Sequence, residues 1–316
     1  MRVFLATALV LGLAFSALPV ALPAFAQDNT EIPPLPRPRP DRDAASTPTP
    51  PGTTAADAIQ QVTSVPQPVT LTARITEDGA VVPEGLTWRI FENTADANGE
   101  VALVARADTG TANLEIPPGQ YTLHVAYGNA QVTQEMSVAP GANAVDVVLD
   151  AGALRLNSAV TGDIAISPAL LKFEIHTTAE NGEVLIVDNL PPNEVVTLNA
   201  GVYEVVSRFG AINAVVRADL RVEPGQLTDA TLYHHASEIA LRLVSEAGGE
   251  AIADVEWTIK SSDGTTIFTD RGAFPSAVLS EGEYLVLAKL GDQVYNREIQ
   301  VQSGGPREIE VLSTIY

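Results

Sequence analysis

Cysteine is absent from all 316 residues. That excludes disulfides, thiol nucleophiles and any zinc or iron–sulfur centre held by cysteine. A chain without thiols also cannot mispair in an oxidising compartment. Aromatic residues are scarce at 5%, so the cores must be built mostly from Val, Leu, Ile and Ala. Basic residues are few: 18 Lys and Arg stand against 39 Asp and Glu, a formal charge of −21. Such a surface favours solubility and repels nucleic-acid phosphates and anionic lipid headgroups. Nucleic acid is therefore not an expected partner, whereas cations or a basic partner would be attracted. Phosphate-binding glycine loops, a zinc-protease His-Glu-x-x-His and a Gly-x-Ser-x-Gly elbow are all missing. No catalytic, cofactor-binding or metal site is assigned, no cofactor is expected, and the chain reads as non-enzymatic.

The only long apolar run lies at the start. Arg2 is followed by an uncharged stretch from Val3 to Leu22, then by Ala24-Phe25-Ala26 before Gln27. This is the pattern of a signal peptide over residues 1–26. It predicts a bacterial protein that is periplasmic or secreted, with no stable membrane span after cleavage. Retention of the run as an anchor is the alternative, since about 20 apolar residues span a bilayer. Residues 27–67 are rich in proline, as in Pro33-Pro34-Leu35-Pro36-Arg37-Pro38-Arg39-Pro40. Proline fixes φ and lacks an amide donor, so this stretch is expected to be a disordered or polyproline linker. It serves as a spacer, or as a docking segment through Arg37, Arg39 and Arg42. Ala55 to Val62 has the length of one short helix.

From Pro68 onward the pattern is β, and it repeats three times. Opening strands alternate at period two: Val69, Leu71, Ala73 and Ile75, then Leu154 and Leu156, then Ile239, Leu241 and Leu243. Aromatic strands follow, at Trp88-Arg89-Ile90, Phe173-Glu174-Ile175 and Trp257-Thr258-Ile259, each expected to anchor a core. Next come Asn98-Gly99, Asn181-Gly182 and Asp263-Gly264, pairs that favour two-residue hairpins with both residues at positive φ.

The fourth landmark is the most distinctive. Ile116 to Gly128, Leu198 to Gly210 and Leu279 to Gly291 share the form [Leu/Ile]-x-x-Gly-x-Tyr-x-[Leu/Val], ending in Gly. Gly119, Gly201 and Gly282 are expected to turn one strand into the next at positive φ. Tyr121, Tyr203 and Tyr284 are expected to bond a nearby backbone carbonyl with their hydroxyls, as in a tyrosine corner. Ligand stacking by these rings is the functional alternative. Last strands close each unit: Val145-x-Val147-x-Leu149, Thr231-x-Tyr233 and Ile309-x-Val311.

These landmarks predict an all-β fold of three tandem antiparallel sandwiches, at 68–150, 153–236 and 238–316, stacked into a rod. The Gly-x-Tyr motif, preceded by an aromatic strand and an Asn-Gly turn, resembles the transthyretin-like (prealbumin-like) sandwiches. Carboxypeptidase-regulatory-like and related bacterial Ig-like modules are among these. The resemblance covers Pro68 to Tyr316. It implies a non-catalytic accessory or adhesive module, and it supplies no ligand site to transfer.

Other residues capable of chemistry are isolated. His234 and His235 are adjacent on a strand and so point to opposite faces, unsuited to one metal. His124 and His176 stand alone. Asp96-x-Asn98-Gly99-Glu100 begins like a calcium loop but lacks the remaining ligands. Glu281 and Glu283 straddle a turn glycine and read as solvated. The expected function is an exported cell-envelope rod binding an envelope protein or a polysaccharide through edge strands and loops. A pure spacer, or a lectin or enzyme with an unrecognised site, are the alternatives. Differences among the copies, in the loops after Trp88, Phe173 and Trp257 and in the stalk, are where function is to be sought.

Overall fold

Strands take the places that period-two alternation marks. The computed structural model describes residues 54, 65–95, 97–179 and 182–313. The signal segment, nearly all of the proline-rich stretch with Arg37, Arg39 and Arg42, the short helix at 55–62, Asp96 and Asn181 lie outside the described residues. The chain divides into two units, Met1–Gly52 and Thr53–Tyr316. All the described residues belong to the second.

That unit contains three β-sandwiches. The first has β1 (Gln67–Arg74), β2 (Leu86–Ala95), β3 (Val101–Ala107), β4 (Ala112–Ile116), β5 (Gly119–Tyr127), β6 (Ala130–Val138) and β7 (Asn143–Val148). The second has β8 (Ala151–Val160), β9 (Ile164–Ala165), β10 (Leu171–Ala179), β11 (Gly182–Leu190), β12 (Val195–Asn199), β13 (Gly201–Phe209), β14 (Ala214–Val222) and β15 (Leu227–His234). The third has β16 (Ala236–Val244), β17 (Glu256–Ser261), β18 (Thr266–Arg271), β19 (Ser276–Ser280), β20 (Gly282–Leu290), β21 (Gln293–Val301) and β22 (Arg307–Leu312).

Each sandwich repeats one topology. In the first, a three-stranded sheet ordered β4-β1-β7 faces a four-stranded sheet ordered β3-β2-β5-β6. The second pairs β12-β8-β15 with β11-β10-β13-β14, and β9 adds to β8. The third pairs β19-β16-β22 with β18-β17-β20-β21. All ladders are antiparallel except those joining first and last strands, β1–β7, β8–β15 and β16–β22. The chain reaches that parallel position only by crossing between sheets, which closes each sandwich around its first strand.

The cores fill as the alternation requires. Val69, Leu71 and Ala73 turn inward from β1, and their counterparts Leu154 and Leu156, and Ile239, Leu241 and Leu243, do the same. Trp88, Phe173 and Trp257 are all buried at the centres. Each tryptophan also satisfies its indole N–H, on Thr109 O at 2.8 Å and on Gly272 O at 2.9 Å. Burying a ring of this size stabilises each sandwich by roughly 3 kcal/mol, provided its polar atom is paired.

Three local expectations are corrected. Ser261 to Thr265 closes with Gly264 N on Ser261 O and Ser261 N on Thr265 O, both 2.9 Å. Only Gly264 of the Asp-Gly pair has positive φ (87°). The hairpin is thus a longer turn with a glycine bulge, not a two-residue turn with both residues left-handed. In the strand β15, Leu232 and His234 face the core while Tyr233 is 46% exposed, the reverse of a Thr231/Tyr233 inward set. A hydrogen bond from inside the core holds His234 there, so polarity misassigns the face. The third correction concerns the motif glycines.

Candidate interaction surface

The shared motif is consumed by structure. Tyr121 Oη donates to Pro117 O, Tyr203 Oη to Asn199 O and Tyr284 Oη to Ser280 O, each at 2.9 Å and each four residues back. Gly119 and Gly201 do not have positive φ, whereas Gly282 does, at 159°. At Gly119 the role is space, because a β-carbon there would lie 3.2 Å from the Tyr121 hydroxyl oxygen; at Gly201 and Gly282 it would meet Tyr203 and Tyr284 at 3.7 and 3.5 Å, ordinary contact distances. The left-handed glycines are those that end the motif, Gly128, Gly210 and Gly291, at φ 60°, 71° and 59°.

Two of those terminal glycines make the junctions between sandwiches. A β-carbon on Gly128 would lie 3.2 Å from Thr197 Cβ of β12, and one on Gly210 would lie 2.6 Å from Val278 Cβ of β19. Asn129 N donates to Thr197 O at 3.1 Å. Asn199 accepts from Gln131 N and donates to Leu149 O, both at 3.0 Å. At the next junction Asn213 accepts from Ser280 N at 3.0 Å and donates to Tyr284 Oη at 2.8 Å. Val278 completes the second core and Ile212 packs on the third. Gly291, at the equivalent hairpin of the last sandwich, has nothing within 4 Å.

The histidines separate. His124 Nδ1 lies 3.0 Å from Thr133 Oγ1, with its pKa lowered by burial and by Arg89. His176 lies between Glu174 and Glu183, at 3.4 and 3.3 Å. His234 is fully buried, its Nε2 2.8 Å from Ser207 Oγ, which in turn lies 2.8 Å from Ser158 Oγ. Burial, and then the neighbouring His235, lower its pKa to about 4. His235 faces outward, 3.8 Å from Glu281. Adjacent strand residues do point oppositely, as the alternation requires. Glu281 accepts from Ser303 N and Ser303 Oγ at 2.9 and 2.7 Å, and these bonds hold its pKa down. Among the described residues no group of three or more His, Asp or Glu is arranged to hold a metal ion.

Differences among the copies concentrate in the hairpins after the aromatic strands. β3, β11 and β18 are edge strands of their four-stranded sheets. On β3, Val101 is 50% and Leu103 52% exposed; on β11, Val184 is 45% and Leu185 48% exposed. Leu103 lies opposite Phe91 and Leu185 opposite His176. The third copy puts Thr266 opposite Lys260. These positions correspond, because Phe91, His176 and Lys260 pair with Thr122, Glu204 and Leu285, each directly after a motif tyrosine. The signal was present in the sequence: Gly99-Glu100-Val101-Ala102-Leu103-Val104 and Gly182-Glu183-Val184-Leu185-Ile186-Val187 are near copies, and Gly264-Thr265-Thr266-Ile267-Phe268-Thr269 is not.

Acids crowd the second of these arms. Glu183 hydrogen-bonds Glu204, which raises the pKa of Glu183 and lowers that of Glu204. Arg217 Nη1 reaches both carboxylate oxygens of Glu204 at 3.1 Å. Glu174 is held below the usual carboxylate range, chiefly by its bond from Arg208 at 2.6 Å. The outer face of the third sandwich carries a shallow groove of about 450 Å³ among Lys260, Glu283, Leu285, Glu298 and Gln300. No helix among the described residues is long and apolar enough to cross a membrane.

Comparison with known proteins bears on the third sandwich most directly. Residues 238–313 match the family described as the Rhizobiales growth-associated tandem repeat domain. A comparison with curated proteins gives no match. Among solved structures the chain is similar to the Bacillus anthracis TIE protein at 15% identity, over 79% of this chain and 50% of that one, with a TM-score of 0.23. It spans half the length of that protein. It is also similar to GBS52, the minor pilin of Streptococcus agalactiae, at 11% identity over 53% of this chain and 95% of that one, TM-score 0.31. A third is BcpA, the major pilin subunit of Bacillus cereus, at 11% identity over 79% of this chain and 100% of that one, TM-score 0.22.

Proposed function

We propose that this chain is an exported, non-enzymatic component of the bacterial cell envelope, a rod of transthyretin-like sandwiches that binds a second envelope protein. One observation carries the reading: Val101, Leu103, Val184 and Leu185 stay about half exposed on sheet edges that no described residue pairs, in two of the three sandwiches. Apolar edges invite strand pairing and are ordinarily blunted by charge or cover. Here they are kept, and kept twice, while the most distinctive shared motif is spent on cores and junctions.

Polysaccharide binding is the weaker reading. The groove beside Lys260 and Gln300 is polar, but no aromatic face is exposed there on which a sugar ring could stack. The test is a photo-crosslinker placed at Leu103 or Leu185 in the full chain, in cells. The expected result is one recurrent adduct with an envelope protein, lost when the crosslinker is moved to Thr269. Binding on a glycan array with no protein adduct at either position would overturn the reading.

A further inference from the structure

We propose that β3 and β11 each accept an extended segment of a partner protein as an added strand, that this segment alternates apolar residues with Lys or Arg, and that β18 does not accept it. The proposal rests on reading the two arms as the binding surface and names what they bind. Its first support is the backbone. Among the described residues β3 and β11 pair on one side only, with β2 and β10, so the outward amides and carbonyls of each strand lie at the sheet edge. An added strand supplies the missing ladder whatever its side chains, and alternate side chains then set specificity.

The second support is the pattern of side chains along the edges. Leu103 beside Phe91, and Leu185 beside His176, give each arm an apolar step on its outer face. Val101 adds another on the face of Leu103 toward the hairpin tip, whereas Val184, next to Leu185, lies on the opposite face of its arm. A partner strand with apolar residues at alternate positions would cover these steps, because cross-strand neighbours on one face lie within contact distance. In the third sandwich Thr266 and Lys260 replace that pair, Ile267 and Phe268 pack partly buried against the core, and Thr269, Asp270 and Arg271 are the exposed remainder of β18. The same edge there offers charge and hydroxyls, which is how native sheets protect an edge.

Charge decides the rest of the partner's composition. Glu92 is exposed near the tip of the first arm, and Glu183 and Asp188 lie exposed along the second. Glu204 is held by Arg217 at 3.1 Å, while Glu183 lies 3.3 Å from His176 with its side chain about half exposed. A Lys or Arg in a partner strand beside Glu183 would pair with it. The whole chain carries −21, which steers a basic segment toward it and an acidic one away. A second copy of this chain would bring Glu183 and Asp188 of one β11 beside those of the other, so self-pairing through that edge is disfavoured. The chain's own Pro33 to Pro40 segment carries Arg37 and Arg39, but its alternate prolines lack the amides a ladder needs.

The test uses the full exported chain and a synthetic nine-residue peptide alternating Val and Lys. Controls are the same peptide with Glu for Lys, and one with Pro at every third position. The expected result is binding at two sites per chain by titration, weakened but retained at raised salt. Amide exchange protection should fall on β3 and β11 and not on β18. Leu103→Lys and Leu185→Lys should each remove one site, and together lower binding at least tenfold, while Thr269→Lys changes nothing. All three positions are on exposed strands, and unchanged circular dichroism confirms folding. Equal binding of the proline peptide would mean charge alone is read, and would overturn strand addition. Equal binding of the Glu peptide would overturn the basic partner. Absence of binding, while the crosslinker at Leu103 still captures a protein, would overturn strand addition and leave the arm as a face for a folded partner.

Discussion

Gly210 lies against Val278 so closely that a β-carbon added to the glycine would come within 2.6 Å of Val278 Cβ. The contact joins the last turn of one motif copy to the strand β19 of the next sandwich. Gly291 has the same left-handed backbone, φ 59° against 71°, with nothing within 4 Å. The pair separates two costs. Alanine at Gly291 should cost about 1–2 kcal/mol, the strain of a left-handed non-glycine residue. Gly210→Ala should cost that and the steric clash besides, about 3 kcal/mol or more in all. It should also open the junction to limited proteolysis near Ala236. Equal losses in melting temperature for the two variants would mean that the junction carries no energy.

Tyr203 and Tyr284 close the same corner with different loads. Tyr203 Oη makes one bond, to Asn199 O. Tyr284 Oη bonds Ser280 O and also accepts from Asn213 Nδ2, a side chain of the preceding sandwich. Tyr203→Phe should therefore cost about 1 kcal/mol, the usual net worth of one such bond. Tyr284→Phe should cost about twice that, because it leaves the Asn213 donor without its acceptor at a junction. Chemical denaturation gives the two losses. Proteolysis should detect a looser junction in Tyr284→Phe alone, and a looser junction in both would contradict the assignment.

The repeat structure was legible because it rests on local rules. Period-two alternation placed the first strands, and the aromatic anchors and the tyrosine corners stand where the motif puts them. What escaped has a non-local cause. Gly119 looked like a turn residue, yet its reason is the Tyr121 ring lying over it. The alternation set Thr231 with Tyr233 on one face and His234 opposite His235, but it did not say which face was the core. The inward position of His234 depends on Ser207, 27 residues away in sequence. The parallel pairing of β1 with β7 depends on strands far apart in the chain, and no short pattern announces it. The loops after Trp88, Phe173 and Trp257 are marked in the sequence by their differences among the copies, the third departing from the other two, but Val-Ala-Leu-Val reads as a core strand until its edge position is known.

His234 sets the pH response of the middle sandwich. In the first sandwich the corresponding core positions hold Ala73, Val125 and Leu149; the second puts Ser158, Ser207 and His234 there. The imidazole lies edge-on to Phe209 with ring centres 5.7 Å apart, and its Nδ1 has no bonding partner among the described residues. Its pKa falls from 6.5 to about 4 on folding. The unfolded chain therefore binds a proton that the folded one excludes between those values. Stability from this group is complete above about pH 6.5 and declines as the pH falls toward 4, by about 3 kcal/mol in all. His234→Leu copies the first sandwich at this position and removes that dependence, while Ser158 and Ser207 keep their mutual bond. Urea unfolding followed at pH 7 and at pH 4.5 should show a smaller loss for the variant than for the parent. The difference isolates the histidine from the carboxylates, which titrate equally in both proteins. Parallel losses in parent and variant would show that His234 takes up its proton without leaving the core.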